Sequence, residues 1–303
     1  MLFRSTRASS GTYVGSDGLI NTAATNEPRF DHNPTTGESL GLLVEEQRTN
    51  LLLNSATLST QSVTVTAAAH TLSFSGTGTI TLSGTSTAGP LVGTGTGEAN
   101  RVSLTFTPTA GSLTLTVTGT VSNAQLELGA FKTSYIPTTA AAATRSADVC
   151  SISGSNFSSW YNSIASTVYA EYATANNVSG SFPAIASLSN GASTNRLQIS
   201  HNSGVRRAVV TSGGVSQWDV QFSAVTANAA GKFALTAQAA DFAAVNNGGT
   251  VSAQTSGLMP TGVSQLGIGV DSGLAAPLSG TIRRLTYWPQ RLPNSTLQTI
   301  TQP

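Results

Sequence analysis

The chain has 303 residues, a formal net charge of +1 at pH 7, and charged side chains at only 9% of its positions. Nucleic-acid-binding proteins usually carry a basic face, so this sparse and balanced charge leads us to expect no nucleic-acid partner. No run of about 20 apolar residues is present, so the sequence predicts no transmembrane helix and no membrane partner. No apolar stretch follows Arg4 and Arg7, so we expect no secretory signal peptide, and the single cysteine, Cys150, cannot form an intramolecular disulfide.

An unusual density of charge marks the segment 30–55, within a chain otherwise rich in Ser, Thr and Gly. Its ionisable side chains include Asp31, His32, Glu38, Glu45, Glu46 and Arg48. Glu45 and Glu46 are adjacent, so on a strand they would face opposite sides and could not flank one glycosidic bond. Asp31 and Glu38 could approach each other across the turn predicted at residues 33–37. The pattern favours a structural role, in which Arg48 pairs with a carboxylate and fixes the register of the segment.

Strand patterns dominate the rest of the first half. Residues 80–82, 102–107 and 113–117 alternate apolar and hydroxyl-bearing side chains with the period of two that a half-buried antiparallel strand requires. Gly-containing breaks separate these runs, as is typical of turns. Residues 138–154 are poor in large apolar side chains and separate two blocks of strands. We therefore predict an all-β chain with an N-terminal arm (residues 1–55), a first antiparallel β-sandwich (56–149) and a second one (150–303).

The second block has the same character, with longer loops. The segment Asn246–Thr250 predicts a tight turn, because Asn and Gly tolerate positive φ. Helical patterns are weak, with two exceptions: the segment around Trp160 and the tail 293–300, where Asn294 or Ser295 could cap a short helix. The motif Asn177-Val178-Ser179 matches a glycosylation acceptor, and without a secretion signal we discount it.

Catalytic and metal sites have little support in the sequence. The three histidines, His32, His70 and His201, lack metal-ligand spacing, and no nucleophile-elbow motif accompanies them. Calcium at Asp219 or Asp271 would need an acidic cluster that is not visible. A polysaccharide depolymerase would need two carboxylates on one face about 5–10 Å apart, and Glu171, on a candidate strand, is its best placed acid. We predict no catalytic residue, no metal and no cofactor.

The few aromatic side chains of the second block suggest a binding surface. Exposed Trp and Tyr rings can stack on sugars while amides bind the sugar hydroxyls, although burial in the core is the favoured alternative for any single ring. Tyr287 belongs to the same aromatic set. The candidate glycan-binding residues are Trp160, Tyr161, Trp218, Asn246, Asn247 and Trp288.

Three segments resemble bacteriophage proteins. Residues 3–20, "FRSTRASSGTYVGSDGLI", followed at residues 26–52 by "NEPRFDHNPTTGESLGLLVEEQRTNLL", resemble the N-terminal segment of the head spike fibre family of phage structural proteins. Residues 124–139, "AQLELGAFKTSYIPTT", resemble the segment that closes a jelly-roll similar to carbohydrate-binding modules in those proteins. Residues 280–301, "GTIRRLTYWPQRLPNSTLQTIT", are similar to the end of laminin-G or concanavalin-like sandwiches in phage fibres.

This resemblance implies a jelly-roll at residues 56–149 and a laminin-G/concanavalin-like sandwich at 150–303. It implies a non-enzymatic virion protein, made in the host bacterial cytoplasm and placed on the virion surface as a capsid decoration or head spike or fibre subunit. Its expected partners are its own copies in a homotrimer, the major capsid protein or tail and portal components, and a host glycan. A tail fibre or tail-tip receptor-binding protein is the alternative, and a depolymerase is a weaker one.

In this interpretation residues 1–55 dock on the virion, and the candidate docking residues are Arg29, Phe30, Asp31, Glu45, Glu46 and Arg48. We expect carboxylates nearby to pair with Arg29 and Arg48. We also expect Leu42, Val44 and the leucines 51–53 to contribute to the core of the first sandwich.

Overall fold

The computed structural model of the chain describes residues 3–175 and 182–303, so the motif Asn177-Val178-Ser179 lies outside the described residues. The chain forms two compact units. Unit 1 comprises Met1–Thr6, Gly41–Glu46 and Asp148–Pro303, and unit 2 comprises Arg7–Leu40 and Gln47–Ala147. Within the described residues, no helix is both long enough and apolar enough to cross a membrane.

Nearly all regular elements are strands. In the first half they are β1 (Arg4–Thr6), β2 (Gly11–Val14), β3 (Ile20–Ala23), β4 (Arg29–His32), β5 (Ser39–Val44), β6 (Arg48–Asn50), β7 (Gln61–Val65), β8 (His70–Gly76), β9 (Thr79–Gly84), β10 (Leu91–Val92), β11 (Val102–Phe106), β12 (Gly111–Thr118), β13 (Val121–Leu128) and β14 (Ala143–Arg145), with a 3₁₀ turn at Glu98–Asn100. In the second half they are β15 (Val149–Ser153), β16 (Ala165–Thr174), β17 (Ala184–Ser189), β18 (Arg196–Asn202), β19 (Val205–Ser212), β20 (Val215–Ala224), β21 (Gly231–Gln238), β22 (Asp241–Asn246), β23 (Ser252–Gln254), β24 (Gln265–Ile268) and β25 (Gly280–Trp288), with helices α1 (Ser155–Ser158) and α2 (Asn294–Ile300).

Unit 2 is built around a sandwich of a four-stranded sheet, in the order β10-β9-β12-β7, and a three-stranded sheet, in the order β11-β8-β13. Its apolar core draws Leu82 and Leu113 from the first sheet and Leu72, Phe74 and Leu126 from the second. Two shorter pairs, β2 with β3 and β6 with β14, also belong to this unit, as does β4. Full burial of each such side chain stabilises the fold by about 1.5–3 kcal/mol.

Unit 1 contains a seven-stranded antiparallel sheet in the order β1-β15-β24-β17-β18-β19-β20. It faces a second antiparallel sheet, in which β23-β22-β21-β16-β25-β5 are neighbours in that order. One apolar core lies between them, with Ile199 and Leu266 from the first sheet and Val168, Phe233 and Leu235 from the second. Helix α2 covers the opposite face of the second sheet, where Leu297 packs with Tyr169 and Val245. The prediction of an all-β chain of antiparallel sandwiches is confirmed.

Period-two patterning explains why these segments are strands. In β12, Leu113 and Leu115 are fully buried while the hydroxyl side chains between and around them lie nearer to solvent. The predicted strands at 102–107 and 113–117 correspond to β11 and β12. The tight turn predicted after β22 is also present, since Asn247 and Gly248 have φ values of 46° and 65°.

Residues 1–55 are divided between the two units, whereas the sequence predicted a separate arm. The reason is long-range pairing: β1 pairs with β15 at Arg4↔Ser151, and β5 pairs with β25 at Leu43↔Thr281. Leu42 and Val44 therefore join the core of unit 1, the second sandwich, and their predicted place in the first was wrong. Of the leucines 51–53, Leu52 is fully buried in unit 2, while Leu53 is exposed.

The helix predicted for the tail is confirmed as α2, but its cap differs from the prediction. Pro293 occupies the N-cap position, and no side chain caps the helix. Asn294 instead accepts a hydrogen bond from the Arg291 guanidinium through Oδ1, at 2.7 Å. Proline suits this position because it has no N–H that the helix could leave unsatisfied.

Candidate functional site

A cluster of four aromatic rings in unit 1 begins at helix α1. Gly154, with a φ of 62°, lets the chain turn from β15 into this single helical turn. Phe157 on α1 points into the core and is 1% exposed. Trp160 and Tyr161 follow directly, and their backbone N–H groups donate to the Phe157 carbonyl oxygen at 3.3 and 3.2 Å. The local turn therefore places three aromatic side chains side by side.

The fourth ring, Tyr287, comes from β25. The ring centroids of Trp160 and Tyr287 are 4.6 Å apart, and that of Phe157 lies 4.8 Å from both Trp160 and Tyr161. Aromatic pairs at such distances contribute about 0.5–1.5 kcal/mol each beyond their buried area. The Tyr287 hydroxyl oxygen also accepts a hydrogen bond from the Asn162 N–H at 2.8 Å. We call Phe157, Trp160, Tyr161 and Tyr287 the aromatic cluster; these contacts hold it in one arrangement.

An open cleft of about 520 Å³ lies beside this cluster. Its volume falls in the range of about 300–1,000 Å³ that is typical of small-molecule sites. We call it the Tyr161 cleft. One wall is the segment from α1 onward and the other is the loop before β24; the lining residues are Gly154, Phe157, Ser158, Tyr161, Ser163, Gly262, Val263 and Ser264.

The lining of the Tyr161 cleft is neutral and combines apolar surface with hydroxyl groups. None of its lining residues is Asp, Glu, Lys, Arg or His. Ser158, Ser163 and Ser264 are exposed, so their hydroxyls can both donate and accept hydrogen bonds. Phe157, Tyr161 and Val263 supply the apolar part. Such a surface can hold the apolar face of a small polyhydroxylated molecule and bind its hydroxyl groups.

The Tyr161 hydroxyl lies beneath the surface of the cleft. Its oxygen is buried, and none of the described residues forms a hydrogen bond with it. Burial raises the pKa of Tyr161 well above its usual value of 10.0, and the neighbouring Tyr287 raises it further. Desolvation disfavours the charged phenolate, so Tyr161 stays neutral across the physiological range. A ligand in the cleft therefore meets the ring of Tyr161 rather than its hydroxyl.

Of the predicted glycan-binding residues, the structure brings Trp160 and Tyr161 together. Trp288 lies elsewhere, because neighbouring residues of a strand face opposite sides of the sheet. Tyr287 therefore packs on the core between the sheets, while Trp288 packs on the opposite face, beside Tyr169. Trp288 does not join the Tyr161 cleft.

The other three predicted residues lie near strands β20 and β22. The Trp218 ring packs on Phe242, with centroids 6.3 Å apart. Asn246 donates through Nδ2 to the Ser223 hydroxyl at 3.0 Å. Asn247 accepts the Lys232 N–H through Oδ1 at 2.8 Å, so this amide stabilises the turn after β22. These side chains do not line the Tyr161 cleft, and their role in glycan binding stays a prediction.

Sequence reasoning named Trp160, Tyr161 and Tyr287 but missed most of the lining of the Tyr161 cleft. Phe157 could have been found, because it precedes Trp160 and Tyr161 by three and four positions, the spacing of one helical face. Ser264 shows no such pattern in the sequence, because it lies in a loop about a hundred positions after Tyr161.

The candidate docking residues mostly take part in the interior of their own units. Arg29 is fully buried in unit 2, and its Nη1 donates to the Thr12 carbonyl at 2.8 Å and to the Ser134 hydroxyl at 2.7 Å. Asp31 accepts the Val14 N–H at 2.7 Å. Phe30 differs, since 45% of its surface is exposed.

The remaining docking candidates are Glu45, Glu46 and Arg48. Strand β5 ends at Val44, so both glutamates lie just beyond it. Glu45 is buried in unit 1, where its backbone N–H donates to Asp148 Oδ2 at 2.9 Å. The Arg48 guanidinium lies over the Phe131 ring in unit 2, 4.7 Å from its centroid. The expected pairing of Arg29 and Arg48 with carboxylates stays a prediction.

Two of the acids weighed for catalysis or metal binding, Glu171 and Asp271, are also engaged locally. Glu171 lies on the face of β16 away from the core, 3.9 Å from the Arg283 guanidinium. Asp271 accepts the backbone N–H groups of Gly273 and Ala275 at 3.0 and 2.8 Å. In the part of the chain that the structure describes, no three His, Cys, Asp or Glu side chains converge as metal ligands.

A cavity of about 90 Å³ lies in unit 2, between the segment 9–12 and residues 135–145. Tyr135 and Thr12 line it, and the Thr12 hydroxyl donates to the Tyr135 carbonyl. The Tyr135 hydroxyl is engaged as well, with the Ser55 hydroxyl at 2.7 Å. Its volume is well below the range of about 300–1,000 Å³ for small-molecule sites, so this cavity is not a candidate binding site.

Comparisons with solved structures give distant similarities. No protein-family model matches the chain, and no curated protein sequence does. One similar structure is the CBM40 domain of the Ruminococcus gnavus IT-sialidase bound to α2,3 sialyllactose, with 18% identity over 46% of this chain and 84% of that one, at a TM-score of 0.40. The NanB sialidase of Streptococcus pneumoniae is 14% identical over 50% of this chain and 27% of that one, at 0.41. A heptameric pentraxin from Limulus polyphemus is 14% identical over 47% and 73%, at 0.37. TM-scores in this range are too low to assign a fold or a ligand to this chain.

Proposed function

We propose that this chain is a non-enzymatic structural protein of bacteriophage particles, a capsid decoration or head spike or fibre subunit, which binds a host-surface glycan. The observation that carries the glycan part is the Tyr161 cleft, where fixed aromatic rings lie beside exposed hydroxyls. Its lining contains no carboxylate, whereas most glycoside hydrolases use a pair of them, and this favours binding over cleavage.

The virion part rests on the resemblance of residues 3–52 to the head spike fibre family. Its matching positions include residues that this fold needs. Arg7 and Arg29 are buried in unit 2, where Arg7 donates to the Ala24 carbonyl at 2.8 Å. Gly41 has a φ of 99°, and a Cβ there would lie 2.2 Å from the Ile282 carbonyl oxygen. The resemblance therefore extends to positions at which other residue types would disturb the fold.

Display in many copies fits a shallow, neutral cleft. Sugar binding at one such site is weak, but linked copies convert the second binding event into an intramolecular one and raise overall avidity by about 10²–10⁴. We expect a homotrimer on the virion surface, in contact with the major capsid protein or with tail and portal components.

Immunogold labelling of intact particles tests the virion assignment. An antibody against the chain should label heads. Label confined to tails would contradict the head assignment and identify a tail fibre or tail-tip protein, and unlabelled particles would contradict a virion role. Deletion of residues 1–55 is unsuitable, because it removes Leu52 and Val44 from the two cores.

A point substitution tests docking more cleanly. Phe30 is exposed, so Phe30→Ser should keep the fold and reduce incorporation into particles. Leu258→Ser, at an exposed position in unit 1, serves as the matched control. Equal occupancy of both variants on purified particles would contradict a docking role for Phe30.

A further inference from the structure

We infer that the Tyr161 cleft takes an uncharged saccharide and rejects sialylated and other anionic sugars. This inference rests on the proposed glycan-binding function and goes beyond it by assigning the class of ligand. The first observation is the absence of any charged side chain among the residues that line the cleft. A sugar carboxylate bound there would lose water without gaining a cationic partner, and an unpaired charge is costly to desolvate. A neutral hydroxyl group has no such penalty, because the serine hydroxyls can replace its water.

The second observation concerns the wall around Tyr161. Its ring stacks on Phe157 at an interplanar angle of 25°, and the Tyr287 ring centroid lies 6.3 Å away. The ring is therefore oriented before any ligand arrives, which lowers the entropy that binding has to overcome. An aromatic surface fixed in this way suits the apolar C–H face of a pyranose ring.

The third observation concerns the opposite wall and the space between the two. Gly262 and Ser264 flank Val263, so small side chains leave the cleft open opposite the aromatic wall. The volume of about 520 Å³ suits a ligand of one or two sugar rings. The exposed hydroxyls of Ser158, Ser163 and Ser264 belong to both walls, so a ring held between them meets hydrogen-bonding groups on either side.

The neutral lining of the cleft also predicts how the affinity for a sugar depends on pH. Burial raises the pKa of Tyr161 above its usual value, so the phenol does not ionise in the physiological range. No lining residue is a histidine or a carboxylic acid. Affinity for a neutral sugar should therefore change little between pH 5 and 8, a range in which histidine-lined sites respond strongly.

The test is saturation-transfer NMR and calorimetric titration of the full chain with defined probes. The neutral probes are methyl glucoside, methyl galactoside, N-acetylglucosamine and lactose, and the anionic probes are 3′-sialyllactose and glucuronic acid. We expect at least one neutral probe to bind and the anionic ones to bind more weakly by about tenfold or more, a difference of about 1.4 kcal/mol. Equal or tighter binding of 3′-sialyllactose would overturn the uncharged-ligand inference while leaving glycan binding intact.

Substitutions show whether the probes bind in the Tyr161 cleft. They also distinguish a failure of this inference from a failure of the proposed glycan-binding function. Ser264→Trp fills the cleft from an exposed position and should weaken the neutral probe by roughly tenfold or more, while Tyr161→Leu removes the stacking ring. Ser163→Arg adds a cation at the lining and should raise the relative affinity for the anionic probes, whereas the control Ser216→Arg, on β20, should not. Unchanged binding in Ser264→Trp would overturn the assignment to this cleft. If no probe binds, the glycan part of the proposed function fails with the inference, and particle labelling still decides the virion part independently.

Discussion

The two units bury different kinds of side chain. Unit 1 joins two broad sheets through a large apolar cluster with residues such as Phe233 and Leu235, and most of its buried polar side chains are Ser or Thr. The interior of unit 2 adds many polar groups to a smaller apolar cluster, among them Arg29, Asn50 and Glu127, all of them fully buried. Apolar contacts tolerate small adjustments, whereas a buried polar network is favourable only while each member keeps its partner. Unit 2 should therefore be the more fragile unit towards single polar substitutions.

The largest expected effect comes from Asn50. Its Nδ2 donates to the carbonyls of Ala124 and Ile136 at 2.9 Å, and its Oδ1 accepts the N–H groups of Leu52 and Leu126 at 3.1 Å. Asn50→Leu keeps the branched shape and the number of side-chain heavy atoms but leaves four buried backbone groups without this partner. We expect a loss of roughly 3–5 kcal/mol in the free energy of unfolding, measured by urea denaturation.

A nearby control and a local readout make this prediction specific. Thr49→Val removes one exposed hydroxyl contact, with Thr144, and should change stability by no more than about 0.5 kcal/mol. Hydrogen exchange should show that Asn50→Leu lowers protection at Leu72 in unit 2 and spares Leu235 in unit 1. Equal loss of protection at both amides would show that the units do not differ in the way proposed.

The same comparison shows what the sequence could and could not predict. The strands at 102–107 and 113–117 were predictable, because alternation is a local property of the chain. The division of residues 1–55 between the units was not, because it depends on pairings such as Arg4↔Ser151. Asn50 likewise shows no local sign of its importance, since its four partners come from three different parts of the chain.

The candidate site likewise contains some residues that local sequence patterns predict and others that only the tertiary fold brings together. Phe157, Trp160 and Tyr161 have helical spacing, so their proximity follows from local geometry. Tyr287 was recognisable only as one of a few aromatic residues, and its contact with Trp160 depends on the pairing of β16 with β25. The loop with Val263 and Ser264 has no periodic pattern at all, and only the tertiary fold brings it opposite Tyr161.

A buried polar network in unit 1 makes its stability depend on pH. Arg206 Nε donates to the Tyr172 hydroxyl oxygen at 3.1 Å, and that hydroxyl lies 3.1 Å from His201 Nε2. The Tyr172 hydroxyl can donate to the neutral form of His201, and burial and the nearby Arg206 charge disfavour the protonated imidazole. Burial, together with the Arg206 charge, lowers the pKa of His201 from 6.5 to about 3.

The sign of the effect follows from this shift. The unfolded chain binds a proton at His201 below pH 6.5, while the folded chain does not until about pH 3. Stability from this group is thus complete above about pH 6.5 and falls on acidification through that window. Between pH 7 and 5 the free energy of unfolding should fall by about 2 kcal/mol from His201 alone.

The variant His201→Gln isolates this contribution, because the other titrating groups are common to both proteins. Urea denaturation at pH 7 and pH 5 should show a pH dependence smaller in His201→Gln than in the unsubstituted chain by about 2 kcal/mol. The same pH dependence in both proteins would contradict the lowered pKa of His201 in the folded chain.

The smallest expected effect is at the surface of unit 1, on the ion pair between Arg207 of β19 and Asp219 of β20. Arg207 Nε donates to Asp219 Oδ1 at 2.7 Å, and Nη2 donates to Oδ2. The side chains are 19% and 39% exposed, so water and salt screen the pair. A double-mutant cycle with Arg207→Gln and Asp219→Asn should give a coupling energy of about 0.5 kcal/mol, which falls as salt is added.

The size of that coupling energy also reports whether the edge of β20 is covered, because β20 is the outermost strand of its sheet. An unpaired strand edge is a surface that copies of a chain can cover when they assemble. A coupling energy above about 2 kcal/mol that resists salt would contradict solvent exposure of the pair, since only desolvated pairs reach that strength. The cycle measured at two protein concentrations therefore distinguishes an open β20 edge from one covered in the expected trimer.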